Sequence, residues 1–105
     1  MIELRDRTFD NFIASGTSLI MFGTSWCKAC IPGAKRLERF GHKHQIKTAK
    51  VDLQMSPAVM NRYLCAKVPF FILFRDGEVI VRHQGNDISG FEGYLEGGEN
   101  DPDPP

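Results

Sequence analysis

The chain has 105 residues, of which 42% are hydrophobic, 10% aromatic and 25% charged, so it has the size of one domain and the composition of a globular protein. Thirteen Lys and Arg balance thirteen Asp and Glu, which excludes a chain dominated by nucleic-acid-binding charge and a wholly disordered one. The apolar runs are too short for a membrane span, and the charged N-terminus does not resemble a signal peptide. We therefore expect a cytoplasmic protein.

The first half of the chain predicts alternating strands and helices. A short strand at 2–4 precedes a helix at 8–14, where apolar residues recur at helical spacing. The apolar run 19–22 has the length of a strand buried on both faces. A loop that opens at Gly23 then leads into a long helix and a second buried strand at 48–53. The apolar side of that helix is predicted to consist of Ile31, Ala34, Leu37 and Phe40.

The next segment predicts a third helix and a hairpin. Ser56 followed by Pro57 is a strong helix start, with a capping hydroxyl before a proline at the first helical position. This helix should end near Leu64. Two β-rich runs at 70–74 and 78–82 flank a turn dipeptide, which is typical of a β-hairpin.

A last helix is predicted at 88–95, which gives the element order βαβαβαββα. This order predicts an α/β fold with a central mixed β-sheet flanked by helices. Residues 1–96 would form the domain. Residues 97–105 carry no apolar side chain and end in an acidic, proline-rich sequence, so we expect them to be disordered.

Two of the three cysteines, Cys27 and Cys30, form a C-x-x-C pair. In a chain of this kind the spacing indicates either thiol redox chemistry or half of a zinc site. His42 and His44 would have to complete a zinc site, but one residue separates them where such sites normally have three to five. The sequence thus favours redox chemistry and no metal.

The predicted position of the pair assigns a role to each cysteine. At a helix N-terminus, free N–H groups and the helix dipole favour a thiolate, and Lys28 adds a positive charge. Cys27 should therefore attack a substrate disulfide, and the more buried Cys30 should resolve the mixed disulfide. Trp26 is expected to pack beside the pair and shield it in part.

Several motifs together resemble the thioredoxin family over residues 8–95. The match rests on Trp26-Cys27-Lys28-Ala29-Cys30, the Lys50-Val51-Asp52 strand, Val68-Pro69, Asp76-Gly77-Glu78 and Gly85. The resemblance implies a thioredoxin-like fold and the reduction of protein disulfides without a bound cofactor. Electrons would come from NADPH through thioredoxin reductase and pass to disulfide-containing proteins such as ribonucleotide reductase. We expect a monomer with no nucleic-acid or membrane partner.

The resemblance also implies a substrate-binding surface. It makes Pro69 a cis proline that faces the two sulfurs, and it gives Val68 backbone hydrogen bonds to a bound substrate strand. Trp26 and Gly85 complete the implied substrate-binding residues. Lys50 is implied to tune the thiol pKa values, and we expect the same of Lys28 from its charge beside Cys27.

The chain departs from the family pattern at three places. Lys35 stands where the family has a helix-kinking proline, five residues after the second cysteine, and Pro32 instead follows that cysteine by two residues, so we expect a distorted first turn of the long helix. Met21 stands where the family carries a buried aspartate, six residues before the first cysteine. No obvious carboxylate replaces it, so Lys50 would lose its partner and resolution should be slower or more dependent on pH. Lys28-Ala29 replaces the family's Gly-Pro, which predicts a reduction potential less negative than about −270 mV.

Two other functions stay open at this point. A glutathione-coupled, glutaredoxin-like reductase is the nearer one, although glutaredoxins generally lack the tryptophan before the first cysteine. The other is a binding subunit that acts independently of its redox state. The third cysteine, Cys65, is expected to be a small buried hydrophobe, with a regulatory thiol as the alternative.

Overall fold

A computed structural model describes residues 1–64 and 67–100. In this part of the chain five strands and four helices follow one another in the predicted order. They are β1 Glu3–Leu4, α1 Asp6–Ile13, β2 Thr17–Gly23, α2 Cys30–His44, β3 Lys47–Asp52, α3 Pro57–Tyr63, β4 Phe70–Arg75, β5 Glu78–Gln84 and α4 Phe91–Asn100. A short 3₁₀ turn, Leu53–Met55, connects β3 to α3. Among these residues, no helix is long and apolar enough to cross a membrane.

The strands form one mixed sheet in the order β1-β3-β2-β4-β5. β1, β3 and β2 pair in parallel, whereas β4 pairs antiparallel with both β2 and β5. This confirms the α/β fold with a central mixed sheet. β2 lies in the middle, with Phe22 opposite Phe70 and Met21 opposite Phe71. The loop that carries Cys27 therefore leaves from the centre of the sheet.

Each face of the sheet buries a different cluster. We call the first the aromatic face, on which α1 and α3 cover side chains that include Phe9, Phe22, Tyr63, Phe70 and Phe74. We call the second the cysteine face, on which α2 and α4 cover side chains that include Leu19, Met21, Cys30, Leu37 and Phe71. Successive residues of β2 alternate between the two faces, as a pleated strand requires.

Helix α3 begins where predicted, but its cap comes from elsewhere. Ser56 is the N-cap residue, yet its buried hydroxyl makes no capping bond and no other hydrogen bond within the described residues. The Asp6 carboxylate accepts from the backbone N–H groups of Ala58 at 3.2 Å and Val59 at 3.0 Å. A carboxylate from α1 thus binds the first turn of α3 and joins the two helices of the aromatic face.

Other differences concern the helix boundaries and one side chain. Helix α4 starts three residues later than predicted and extends to Asn100, so 97–100 are helical where we expected disorder. Residues 101–105 and Cys65 lie outside the described residues, and the division into domain and tail stays a prediction. On α2, Leu37 and Phe40 are buried as predicted, but Ile31 is exposed.

Candidate active site

The two cysteines lie where the central strand meets the long helix. β2 ends at Gly23 and α2 begins at Cys30, so Cys27 sits in the connecting loop. Cys27 and Cys30 form a disulfide, with their Cα atoms 5.3 Å apart. This confirms that the spacing lets the two sulfurs meet.

The backbone of this loop is directed at the sulfur of Cys27. The N–H of Cys30 donates to Cys27 Sγ at 3.1 Å and also approaches the carbonyl oxygen of Cys27 at 3.1 Å. In a regular α-helix the N–H of residue 32 would donate to the carbonyl of Lys28, but Pro32 has no N–H. The N–H of Ile31 donates to this carbonyl instead. A tight turn therefore stands where we expected a distorted first helical turn, and α2 starts only at Cys30. An N–H at a helix N-terminus stabilises a thiolate when the disulfide opens.

The two sulfurs differ in exposure, as expected. Cys27 is half-buried, whereas Cys30 is only 7% exposed and belongs to the core of the cysteine face. A Cβ on Gly23 would lie 2.6 Å from Cys30 Sγ, so only glycine leaves room for this sulfur over the end of β2. Sequence reasoning missed Gly23, which it treated as the opening of a loop.

A cavity of about 470 Å³ lies beside the disulfide. Cys27, Cys30 and Met21 line it together with four charged residues, which are Glu3, Lys35, Lys50 and Asp52. In the sheet, Lys50 pairs with Met21 on one side and with Glu3 on the other. Glu3 and Asp52 therefore reach the same cavity from β1 and β3, although Lys50 makes no ion pair with either of them within the described residues.

Trp26, which precedes Cys27 in the chain, lies at the outer surface of the cysteine loop. Its side chain is 64% exposed, because it stands in the loop before α2 rather than against the core. Lys28 is also exposed. Together with Ile31, which is 65% exposed, Trp26 gives this end of the molecule an apolar outer surface.

The Val68–Pro69 segment borders the same site. The peptide bond between these residues is cis, as the family resemblance implied. Phe70 pairs with Phe22, so the register places Pro69 beside Gly23, over which Cys30 lies. Val68 packs against the cores of both faces.

Gly85 fixes the position of this segment. Its N–H donates to the carbonyl of Pro69 at 2.9 Å, and its φ of +102° is in the region that favours glycine. Asn86, the next residue, reaches the cysteine loop, since its Nδ2 donates to the carbonyl of Ala29 at 2.8 Å. Sequence reasoning missed Asn86, because no motif marks it.

The histidines do not support a zinc site. His42 lies twelve residues after Cys30 on the same helix, a distance of about 18 Å at the rise of an α-helix. His44 bonds to Glu92 at 2.8 Å and packs on Phe40. Within residues 1–64 and 67–100, no group of three or more His, Cys, Asp and Glu is placed to hold a metal ion.

Comparison with known proteins places this arrangement in a family. The family model described as Thioredoxin matches residues 1–95. Thioredoxin from Staphylococcus epidermidis is 30% identical over 87 residues, which cover 81% of this chain and 84% of that protein. Thioredoxin from Staphylococcus aureus is 28% identical over the same shares of the two chains.

One solved structure gives the corresponding match of folds. It comes from work on the thiol-resolving mechanism of a yeast mitochondrial 1-Cys peroxiredoxin through the glutathione and thioredoxin systems. The match has a TM-score of 0.80 and covers 91% of this chain and 93% of that one, at 21% sequence identity.

Proposed function

This chain belongs to the thioredoxin family, and from this premise we propose that it reduces disulfides in proteins with electrons that pass from NADPH through thioredoxin reductase. The family and the Cys27–Cys30 disulfide make it a thiol–disulfide oxidoreductase. The observation that carries the proposed exchange chemistry is the N–H of Cys30, which points at the sulfur of Cys27 and marks it as the nucleophile. This donor favours the thiolate that attacks a substrate.

The reaction proceeds in two exchanges. The Cys27 thiolate attacks one sulfur of the substrate disulfide, forms a mixed disulfide and releases the first substrate thiolate. The Cys30 thiol then loses its proton and attacks the sulfur of Cys27. This forms the Cys27–Cys30 disulfide and releases the second substrate thiolate. Two electrons have passed to the substrate, and the reductase returns the pair to the dithiol.

The exposure of the two sulfurs supports these roles. Cys27 is accessible to a substrate, whereas Cys30 is buried and is reached by the sulfur of Cys27 alone once a mixed disulfide has formed. We assign pKa tuning to Lys28, beside the nucleophile in the sequence, and to Lys50, which lines the cavity next to both sulfurs. Their positive charges favour the thiolates.

We assign the binding of the substrate to the exposed surface around the pair. Trp26 offers an aromatic surface next to Cys27. Val68 would bond a substrate strand through its backbone, beside Pro69, while Gly85 holds the carbonyl of Pro69 in place. Disulfide-containing proteins such as ribonucleotide reductase are the substrates we propose, with a cytoplasmic location and electron transport as the cellular role.

Insulin reduction with two electron sources tests the proposal. With NADPH and thioredoxin reductase, we expect continuous turnover that depends on the concentration of this protein. Turnover with glutathione and glutathione reductase alone would instead assign a glutaredoxin-like function. Absence of turnover with either source would contradict the proposal.

A variant that carries Cys27→Ser and Cys30→Ser separates the remaining alternative. An oxidoreductase loses its biological activity with both cysteines replaced, whereas a redox-independent binding subunit retains it. The single variant Ser89→Ala, which keeps both thiols, is the matched control because the Ser89 hydroxyl donates to Asp87 within its own loop and lies away from the cysteines.

A further inference from the structure

We propose that Asn86 is a positioning residue for the second exchange, because it holds the carbonyl of Ala29 between the two cysteines. This inference deepens the function proposed above and rests on it. Asn86 touches neither sulfur, so its effect would act through the backbone of the cysteine turn.

The contact is made at the residue that joins the cysteine turn to the helix. Ala29 is the N-cap residue of α2, and its carbonyl accepts from the N–H of Gly33 at 3.2 Å. The same carbonyl accepts from Asn86 Nδ2 at 2.8 Å. Ala29 is therefore held both by its own helix and by the loop that follows β5.

The helix surface is shaped to receive this side chain. A Cβ on Gly33 would lie 2.5 Å from Asn86 Oδ1, so the amide of Asn86 lies directly against the helix backbone. Gly33 is buried. The guanidinium of Arg36 donates to the backbone carbonyl of Asn86 at 3.4 Å, which gives the asparagine a second attachment to α2. Three contacts thus fix one loop residue against the first turns of the helix.

The loop that carries Asn86 also fixes the opposite side of the site. Gly85 donates to the carbonyl of Pro69, and Asn86 donates to the carbonyl of Ala29. Two consecutive residues therefore set the distance between the Pro69 segment, where we place the substrate, and the turn that bears the thiols.

This restraint matters most in the mixed disulfide. When Cys27 is bonded to a substrate, the covalent link between Cys27 and Cys30 is open, and hydrogen bonds alone keep the turn closed. Cys30 must then attack Cys27 Sγ, which needs the two sulfurs held at near-attack distance. Freeing Ala29 would lower the effective concentration of the Cys30 thiol without altering the exposed Cys27.

A small aromatic disulfide separates the two exchanges. In a Cys65→Ser background, which removes the third thiol, 5,5′-dithiobis(2-nitrobenzoic acid) mixed with the reduced protein releases one coloured thiolate when Cys27 attacks and a second when Cys30 resolves. For Asn86→Ala we expect the second phase to slow about tenfold and the first to change less than about twofold. Ser89→Ala, which removes a hydrogen bond of the same loop without touching Ala29, should leave both phases unchanged.

A double-variant cycle with Gly33 separates positioning from a general loss of structure. Gly33→Ala should slow the second phase in the wild-type background, because its methyl group displaces Asn86, and should slow it much less when Asn86→Ala is already present. An unchanged second phase in Asn86→Ala, an equal slowing of both phases, or additive effects in the cycle would each overturn the inference. A first phase of normal rate would show that thiol exchange itself is intact, so this failure is distinct from failure of the proposed function.

Discussion

The two faces of the sheet use the same strands for different purposes. On the aromatic face, the ring of Phe9 lies 5.6 Å from Tyr63, 5.7 Å from Phe74 and 6.1 Å from Phe22, measured between centroids. On the cysteine face, Met21 lies next to a disulfide and a cavity with four charged residues. Met21 and Phe22 are neighbours in the chain, so one residue step along β2 separates an interlocked core from the chemical site.

This difference separates stability from reactivity. Large aromatic side chains bury much apolar surface and tolerate no loss of volume. A reactive thiol pair needs the opposite, which is room beside the sulfurs, access to water and polar groups that exchange protons. Because a strand turns alternate residues to opposite faces, one sheet can supply both surfaces, and substitutions on the two faces should have separable effects.

The largest effect should come from the cysteine face alone. Cys27→Ser removes the nucleophile, so the rate of insulin reduction should fall by at least about 10⁴-fold. The urea midpoint of the reduced protein should stay close to that of the reduced wild type, since Cys27 is only partly buried. Cys30→Ser is the matched control, which should complete the first exchange and accumulate a mixed disulfide. Residual turnover in Cys27→Ser would show that another group attacks the substrate.

A cavity created on the aromatic face should lower the stability of the protein and leave its redox chemistry unchanged. Phe9 is fully buried, and Phe9→Ala should lower the free energy of unfolding by about 3–5 kcal/mol. Urea unfolding measures this loss, and a glutathione redox titration of the folded variant should give the wild-type potential. A shifted potential would mean that the two faces are coupled through β2.

A substitution at Met21 tests what the cavity contributes. Met21→Asp places a carboxylate beside Lys50 and the sulfurs, where it can accept the proton of Cys30. The second exchange should become about tenfold faster near pH 7, since general-base catalysis contributes at least this much. Met21→Asn has the same shape without the charge and should not accelerate it. Equal rates in the two variants would show that a carboxylate at this position does not accelerate the second exchange.

The smallest effects should come from the ion pairs that join the helices on each face. Lys43 first, and His44 second, hold the pKa of Glu92 below its ordinary value of 4.5 by hydrogen bonds. A lowered folded pKa gives stability that is present above the ordinary pKa and is lost as the pH falls through the folded value. Glu92→Gln should therefore lower the thermal midpoint at neutral pH and leave it less sensitive to acid.

The aromatic face offers the matched variant. The hydrogen bond from Arg62 lowers the pKa of Asp10, and this exposed pair joins α1 to α3. Asp10→Asn should lower the free energy of unfolding by less than about 1 kcal/mol at neutral pH. Its stability should also become less sensitive to acid, as for Glu92→Gln. Unfolding followed from neutral pH to below the ordinary carboxyl range measures both variants. If the unfolding midpoint of a variant keeps the pH dependence of the wild type, the ion pair removed in that variant does not contribute to the pH dependence of stability.

The sequence predicted those features that are local in the chain. Hydrophobic patterns, the Ser56-Pro57 helix start and the hairpin turn placed the nine helices and strands of the described residues, and Cys27 and Cys30 are close enough in the chain for their spacing to indicate the chemistry. Trp26 was expected to shield the pair in part, and its high exposure could not be predicted, because an aromatic residue beside a helix start gives no sign of which side it turns to. Ile31 matches the apolar stripe of α2 by spacing but is exposed at the end of the helix.

The contacts that only the tertiary structure brings together could not be predicted. Glu3 reaches the cavity because β1 pairs with β3, a register that no local pattern determines. Asn86 meets Ala29 across 57 positions of the chain. Gly23 was treated as a loop glycine, although its role is to leave space for a sulfur seven residues away. Such positions would need the sheet order before their chemistry could be inferred.

The cap of α3 has a consequence for how this chain can vary. In most helices the side chain of the N-cap residue accepts from the N–H groups of the first turn. In α3 the Asp6 carboxylate does so instead, while the hydroxyl of the N-cap residue, Ser56, is buried without a hydrogen bond among the described residues. Positions 6 and 56 should therefore covary in an alignment of related chains. Where position 6 is not acidic, the side chain at position 56 should cap its own helix. A substitution at the surface of α1 would then be accompanied by a different capping residue or rotamer at the start of α3.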